Sequence, residues 1–344
     1  MLPLKRIVAS AGVLATAFLS LASSALAAPP QVLVYYATAG YYHESIPAAI
    51  DALRNIGDTT ALYNATFSKD ETLFTDEHLR LYSAVVFLSN SDQVLTDSGE
   101  AALQQWLTQG GSLVGLHAGT ACLFDDTAFG TAMGSWFDYH PTIQNVTFTK
   151  LVDHPTVDPL PDRYETYEEV YHFRSDPRDV NCTVLLSYDP STVQDPQFGT
   201  RPYYQGSPPP IAWYREGQNV DLSNGTDPSR PTMTGRTWMT SLGHTIEIWS
   251  DPTHLAHVEA GLRWALEPFE QATANVSSTS ASTASGTSSA SRSASSTGST
   301  ASASSAAPST ASTAQVTSAA RRHRQIGVGL VSAGLAVAAL ILAL

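Results

Sequence analysis

Short apolar runs alternate with amphipathic stretches through the first half of the chain. Val32–Tyr36, Ala84–Leu88 and Leu113–Leu116 are continuous apolar runs of the kind that form strands buried on both faces. Between them, Ser45–Gly57 and Thr96–Gln109 carry apolar residues on one helical face, with a capping residue at the start and glycine at or just after the end. This alternation predicts an α/β fold: a single domain of three layers, in which helices flank a mostly parallel sheet.

The rest of the domain has more strand-like segments than helical ones. Two Pro/Gly-rich stretches, Pro196–Pro210 and Gln218–Pro231, are typical of surface insertions. No break in composition divides residues 29–271, which favours one domain over two. The remaining predicted elements are strands at Ala61–Phe67, Ile143–Thr149, Thr183–Ser187, Ile211–Tyr214 and Thr237–Leu242, and a last helix at Thr253–Leu266.

The beginning of the chain has the composition of a targeting segment. Lys5 and Arg6 precede an apolar stretch, and Ala25–Ala27 offers a small-residue cleavage site. These features predict a signal peptide over residues 1–27 and therefore secretion. A first transmembrane helix is the alternative, which the two prolines that follow disfavour.

The end of the chain predicts a stalk and a membrane attachment. Residues 272–320 are almost wholly Ser, Thr and Ala, so we expect a disordered, O-glycosylated stalk. Residues 321–344 begin with basic side chains and then stay apolar, which indicates a GPI-attachment signal with the attachment site among Ser309–Ala314. A C-terminal helix inserted in the membrane is the alternative. Either way, we expect a secreted protein attached to the plasma membrane or cell wall.

The net charge limits the classes of binding partner, and the cysteine content indicates how the chain is cross-linked. A net charge of -13 with no basic stripe argues against nucleic acid. Two cysteines in an oxidising compartment form a disulfide more often than not, so Cys122 and Cys182 are a predicted pair; two free thiols, or Cys122 as a nucleophile, are the alternatives. The predicted N-glycosylation sites are Asn64, Asn145, Asn181, Asn224 and Asn275.

The turn Gly115–Gly119 carries the most informative chemistry. It follows an apolar strand and precedes a predicted helix, as a nucleophile elbow does. Hydrolases place serine at the centre of this turn and glutamine amidotransferases place cysteine, but this chain has His117. An imidazole binds metals and moves protons, and it is a poor acyl-enzyme nucleophile. A conventional hydrolase is therefore a distant alternative.

Three histidines follow predicted parallel strands. His43, His117 and His244 each come after a strand end, and ligands of α/β proteins bind beyond the carboxyl ends of such strands. Glu169 is the best carboxylate candidate, because a buried glutamate beside histidine becomes a usable base. His140, placed before a proline, either joins this site or fixes a turn. We expect the other histidines to be structural or exposed: His78, His154, His172, His254 and His257.

The chain resembles the ThuA-like (trehalose-utilisation) family, whose fold is related to the flavodoxin-like fold of class I glutamine amidotransferases. Two departures concern the segment Thr120–Cys122, where the family usually has an acidic residue, and the longer Pro-rich insertion before Ile211. The matching segments, in chain order, are Val34–Ile46, Ala84–Leu88, Gly110–Ala118, Phe137–Pro141, Glu168–Arg174, Ile211–Trp213 and Ser241–Thr245.

The resemblance implies action on carbohydrate, with oxidised (keto) disaccharides as the substrate class. Tyr171 and Trp213 offer flat faces on which sugar rings stack, although core packing explains such aromatics equally well. No cofactor is certain, and a divalent metal such as zinc is the candidate. The predicted catalytic residues are His117, Glu169 and His244; the predicted substrate-binding residues are His43, His140, Tyr171 and Trp213; the predicted metal ligands are His43, His117 and His244.

Two mechanisms and two functions stay open at this point. Either a metal polarises a carbonyl or hydroxyl, or His and Glu act alone as an acid/base pair; both lead to isomerisation or elimination of a keto-sugar. The alternative to an enzyme is a non-catalytic carbohydrate-binding or wall-associated adhesion module.

Overall fold

The computed structural model of the protein describes residues 28–217, 219–220, 232–233 and 235–284. All of these belong to one compact unit, Met1–Thr287, and the second unit, Ser288–Leu344, lies outside the described residues. The predicted signal peptide, GPI-attachment signal and most of the stalk also lie outside them and stay predictions. In the described part of the chain, no helix has the length and apolar character needed to span a membrane.

Strands and helices alternate through the first half, and strands dominate the second. The strands are β1 (Gln31–Tyr35), β2 (Asn64–Ser68), β3 (Ala84–Leu88), β4 (Ser112–Leu116), β5 (Phe137–Tyr139), β6 (Gln144–Lys150), β7 (Arg163–Glu168), β8 (His172–Phe173), β9 (Thr183–Tyr188), β10 (Ala212–Arg215), β11 (Asn219–Val220), β12 (Thr232–Met233) and β13 (Thr237–Thr240). The α-helices are α1 (Ile46–Thr60), α2 (Asp76–Leu79), α3 (Asp97–Thr108), α4 (Thr127–Met133) and α5 (Pro252–Ala284).

The central sheet has a parallel half and an antiparallel half. Among the described residues, nine strands pair in the order β2-β1-β3-β4-β13-β10-β9-β6-β7. The first five run parallel, and β10, β9, β6 and β7 are added by antiparallel pairing. The predicted α/β fold is confirmed, and the antiparallel extension makes the sheet mixed. β5 and β8 form a separate two-stranded ribbon.

Helices cover both faces of the sheet, because the central strands are apolar on both sides. Side chains alternate along β1: Val32 and Val34 belong to the core cluster that contains residues of α1 and α5. Leu33 and Tyr35 belong to the cluster on the other face, with residues of α3 and α4. Burying each such side chain contributes about 1.5–3 kcal/mol. The three-layer arrangement therefore follows from continuous apolar runs in the sequence.

Two helices run further than predicted. α1 continues through Gly57 and ends at Thr60, and the capping residue Ala61 takes the left-handed conformation at φ 52°. Gly57 allows close packing instead, since a Cβ there would lie 2.9 Å from the Tyr63 ring. α5 continues past the predicted end at Leu266, so the first part of the predicted disordered stalk is helical. The alanines of that segment favour a helix.

The two cysteines are free and buried, which corrects the predicted disulfide between Cys122 and Cys182. They have different neighbours: Cys122 Sγ donates to the carbonyl of Gly119 at 3.7 Å, whereas Cys182 lies beside Arg215. Burial raises the pKa of Cys122 well above its ordinary value. A buried, protonated thiol is a poor nucleophile, so the hypothesis that Cys122 is catalytic loses its basis.

The predicted N-glycosylation sites are only partly described. Asn64, Asn145 and Asn181 are exposed, as a glycan requires. Asn224 and the side chain of Asn275 lie outside the described residues. Glycosylation stays a prediction.

Two core histidines should make the fold sensitive to acid. His254 and His257 are fully buried, and neither ring nitrogen of His254 has a hydrogen-bond partner among the described residues. Burial, and then the neighbouring His257, lower the pKa of His254 to about 3. The free energy of unfolding therefore has its full value above the unfolded-state pKa of about 6.5, and it decreases as the pH drops below that value. At pH 5, each such histidine lowers the free energy of unfolding by about 2 kcal/mol.

Between pH 8 and pH 5, we expect the free energy of unfolding of His254→Leu to fall by about 2 kcal/mol less than that of the parent. Urea unfolding followed by circular dichroism at the two pH values measures this difference. His78→Leu is the control, because His78 is exposed and the substitution is the same. Equal acid sensitivity of the parent and His254→Leu would contradict the assignment.

Candidate metal and acid-base site

The elbow places His117 directly after β4. Its backbone takes the left-handed conformation at φ 53°, which is unfavourable for a side chain with a Cβ and is typical of the central residue of this turn. Gly119 permits the tight return, because a Cβ there would lie 2.4 Å from the carbonyl oxygen of Phe87. The turn therefore lifts the His117 ring above the sheet edge, where it is fully buried among other side chains.

Hydrogen bonds fix the tautomer of His117. Its Nδ1 lies 2.9 Å from the carbonyl oxygen of Ser241, so Nδ1 carries the proton and donates it. Nε2 then has a free lone pair in the neutral ring and accepts from the Tyr171 hydroxyl at 3.0 Å. Burial lowers the pKa of His117 well below its ordinary value, which keeps the ring neutral. A neutral imidazole of this kind is a hydrogen-bond acceptor as it stands, and it can become a metal ligand through Nε2 if the Tyr171 hydroxyl turns away.

His43 and His244 converge on the same point from neighbouring strand ends. The ring centroid of His43 lies 4.5 Å from that of His117 and 5.5 Å from that of His244. Burial, and then the like charge of His244, lower the pKa of His43 to about 4. The three histidines therefore lie together at one edge of the sheet, as the sequence analysis predicted.

Glu169 lies at the centre of the histidines. Its Oε2 is 3.0 Å from Nδ1 of His244 and 3.8 Å from Nε2 of His117, and its Oε1 is 3.2 Å from Nε2 of His140. Burial alone would lower the pKa of His244, but Glu169 outweighs it and raises the pKa. The structure thus brings Glu169 and His140 to the predicted site.

Glu168 is a positioning residue that the sequence analysis missed. Its buried carboxylate accepts from the backbone N–H of Gly243 at 2.9 Å and of His244 at 3.1 Å, and it also accepts from the N–H of Glu169. Burial raises the pKa of Glu168 to about 7, against the opposite effect of these hydrogen bonds. Glu168, the last residue of β7, therefore ties the loop that carries His244 to the segment that begins at Glu169.

The cluster has the donor set of a divalent metal site. One atom each from His43, His117, Glu169 and His244 lies within 4.8 Å of the others. Ligands of tetrahedral zinc lie about 2.0–2.1 Å from the ion, so the four atoms would have to move closer together to surround one ion. Three buried atoms there lack a hydrogen-bond partner among the described residues: Nδ1 of His43, Nδ1 of His244 and Oε2 of Glu169. The last two are close enough for an ion pair but do not meet hydrogen-bond geometry.

A cavity of about 260 Å³ opens onto the cluster. Tyr41 and Phe137 line its walls together with His140 and Tyr171. Burial, and then the charge of Glu169, raise the pKa of Tyr171 well above its ordinary value, so its hydroxyl stays a donor.

Trp213 does not belong to the site, which corrects its prediction as a substrate-binding residue. It is fully buried, its indole N–H donates to the carbonyl of Met133 at 2.8 Å, and its ring packs on Phe173. The alternation of side chains along β10 directs it into the core beneath α4.

The other histidines and acids have structural partners. His154 stacks on Tyr214 with ring centroids 3.9 Å apart, and His172 lies against Asp195. Asp126 caps α4 by accepting from two backbone N–H groups, so it does not replace the acidic residue that the family usually has after the elbow. The acid of this site is Glu169.

Comparisons with known proteins identify the family. A family model named ThuA and described as "Trehalose utilisation" matches residues 31–265. Crystal structures of ThuA-like proteins from Bacteroides uniformis and Parabacteroides merdae are similar in fold, with TM-scores of 0.51 and 0.50 and sequence identities of 20% and 16%. The alignments cover 70% and 69% of this chain and 93% and 90% of those chains. A comparison with curated proteins gives no match. Because the family model covers more than half of its residues, the chain belongs to the ThuA family.

Proposed function

We propose that the protein is a secreted, cell-surface enzyme that removes and returns a proton beside the carbonyl of a keto-sugar at a metal site. The observation that carries this proposal is the convergence of three imidazoles and one carboxylate, with unpartnered buried atoms, beside a cavity that His43, Glu169 and His244 line. Secretion and surface attachment rest on the sequence of the two ends.

His43, His117 and His244 would hold the metal, and Glu169 would either complete the set or act as the base. A bound zinc-like ion would polarise the sugar carbonyl and stabilise the charge that develops on its oxygen. The hydrogen bond from Nδ1 of His117 to Ser241 orients that ring with its lone pair toward the site. The carboxylate of Glu168 holds His244 in place by accepting from the backbone N–H of His244.

Glu169 and His140 form a route for the proton. Nδ1 of His140 lies 2.8 Å from the carbonyl of Pro141 and therefore donates to it. Nε2 of His140 then faces Oε1 of Glu169 at 3.2 Å, close enough for a proton to pass between the two groups. Because the side chain of His140 is 37% exposed, a proton taken by Glu169 has a path to solvent.

This chemistry needs no covalent intermediate, which agrees with a histidine in place of serine or cysteine at the centre of the elbow turn. The side chain at the turn is a neutral imidazole held by Ser241 and Tyr171, and a metal bound at its Nε2 would replace the hydrogen bond from Tyr171. Removal of the proton next to the ketone leaves the electron pair on the carbonyl oxygen, and return of a proton gives isomerisation or, with loss of a leaving group, elimination.

Proton exchange on a keto-disaccharide in D₂O tests the proposal directly. With zinc present, NMR should show replacement of C–H by C–D beside the ketone, followed by slower product formation. Protein treated with a chelator separates the two mechanisms, because exchange that persists without metal indicates Glu169 and the histidines acting alone. A keto-sugar left unchanged with and without zinc would overturn the proposal and favour a non-catalytic carbohydrate-binding module.

A further inference from the structure

A second pocket lies on the opposite side of the β5–β8 ribbon from the histidine cluster. His140 and Tyr171, which flank these short strands, line the cavity at the cluster, whereas Tyr139 and His172 from the strands line the second pocket. The second pocket has a volume of about 430 Å³, within the range of small-molecule sites. The Pro-rich insertion, which the sequence analysis predicted as a surface loop, forms its outer wall.

Polar groups at the base of this pocket are held in fixed positions. Oε1 of Gln205 accepts from the backbone N–H of Phe173 at 3.0 Å, so its amide nitrogen donates to Nδ1 of His172. Nε2 of His172 then lies 3.0 Å from Asp195, which is an ion-pair distance without hydrogen-bond geometry, and the Tyr139 hydroxyl donates to the same carboxylate at 2.9 Å. These contacts hold the carboxylate of Asp195 and the hydroxyl of Tyr139 in fixed positions.

Aromatic side chains from the insertion stand exposed around these polar groups. Phe198 is 57% exposed, Tyr203 45% and Tyr204 72%. Single exposed aromatics are ordinary on protein surfaces, but three from one short segment around one pocket mark a binding surface. Flat aromatic faces beside fixed hydrogen-bonding groups suit ligands with an apolar face and a polar edge, as a pyranose ring has.

The charges of the pocket favour a neutral ligand. Arg201 is held by Asp138 through a two-point contact and lies over the Tyr139 ring at 5.4 Å. Its charge is therefore already balanced, and the carboxylate of Asp195 leaves the pocket with an excess negative charge. Uronic acids and phosphorylated sugars would meet repulsion there.

We propose that this pocket binds a neutral hexopyranose unit as a carbohydrate subsite separate from the histidine cluster. The inference shares with the proposed function the view that the protein meets carbohydrate, but it uses none of the residues assigned to proton transfer. Tyr203 and Tyr204 supply the stacking surface, and because the Tyr139 hydroxyl donates its hydrogen to Asp195, the oxygens of Tyr139 and Asp195 accept hydrogen bonds from the sugar hydroxyls.

Saturation-transfer NMR and calorimetry on the full chain test this subsite, with trehalose, maltose and cellobiose as probes. At least one of these sugars should bind, and Tyr204→Ala should weaken its affinity about tenfold, since a stacking face is lost. Tyr204→Phe keeps that face and should bind like the parent. Tyr167→Ala is the matched control, because Tyr167 is exposed on β7 outside the pocket.

Glu169→Gln separates this inference from the proposed function. Binding that survives Glu169→Gln and falls in Tyr204→Ala supports an independent subsite, whatever the fate of catalysis. Failure of all three sugars to bind, or equal binding by Tyr204→Ala and Tyr167→Ala, overturns it. A loss of binding in Glu169→Gln places the sugar at the histidine cluster and also overturns a separate subsite.

Discussion

Replacing Glu169 with glutamine is expected to slow proton exchange on a keto-disaccharide by about 10²- to 10⁴-fold, the usual contribution of a positioned general base. The amide has nearly the same shape as the carboxylate, so it should keep the packing around the three histidines. It cannot take up a proton, so it cannot serve as the base. The rate of deuterium incorporation, measured by NMR with zinc in excess, gives the effect.

Glu165→Gln is the matched control for this prediction. Glu165 lies on the same strand as Glu168 and is exposed, so the identical substitution changes charge without touching the cluster. We expect its exchange rate to equal that of the parent. If Glu169→Gln exchanged protons as fast as Glu165→Gln, Glu169 would not be the base.

His117→Ala is expected to weaken zinc binding by at least about 100-fold, because residues that only support a ligand already contribute 10- to 100-fold. Zinc at 100 times its Kd stabilises the parent by about 2.7 kcal/mol, and the variant should lose that stabilisation. Calorimetric titration with zinc and thermal unfolding with and without a chelator measure the two effects.

Two further variants keep this prediction falsifiable. His117 is fully buried, so its removal also leaves a cavity that destabilises the fold. His244→Ala removes a partly exposed ligand at less cost to packing and should show the same loss of zinc binding. His78→Ala, on the surface, should bind zinc like the parent. Unchanged zinc affinity in both His117→Ala and His244→Ala would exclude the histidine cluster as the metal site.

Much of the fold could be predicted because its signals are local. β1, β3 and β4 are continuous apolar runs, and a strand buried on both faces of a parallel sheet has that pattern. The position of His43, His117 and His244 at one edge then follows from the shared direction of parallel strands. The antiparallel half was less predictable, because a period of two indicates a strand without indicating its neighbour.

The details of the site depend on contacts that a sequence pattern does not contain. Glu168 and Glu169 are adjacent, and only the pairing of Glu168 with Gln144 at the end of β7 decides which carboxylate holds the backbone and which enters the cluster. The approach of His140 depends on the β5–β8 ribbon. The sequence analysis placed Trp213 in the binding site wrongly, because an aromatic residue uses the same ring faces to pack in a core and to bind a sugar.

Anomalous diffraction at the zinc absorption edge, from crystals of the protein grown with zinc, tests the central claim most directly. The account predicts one strong peak about 2.0–2.1 Å from a ring nitrogen of each of His43, His117 and His244, with Glu169 beside it. A map with no peak among these rings, or with zinc bound only elsewhere, would contradict it.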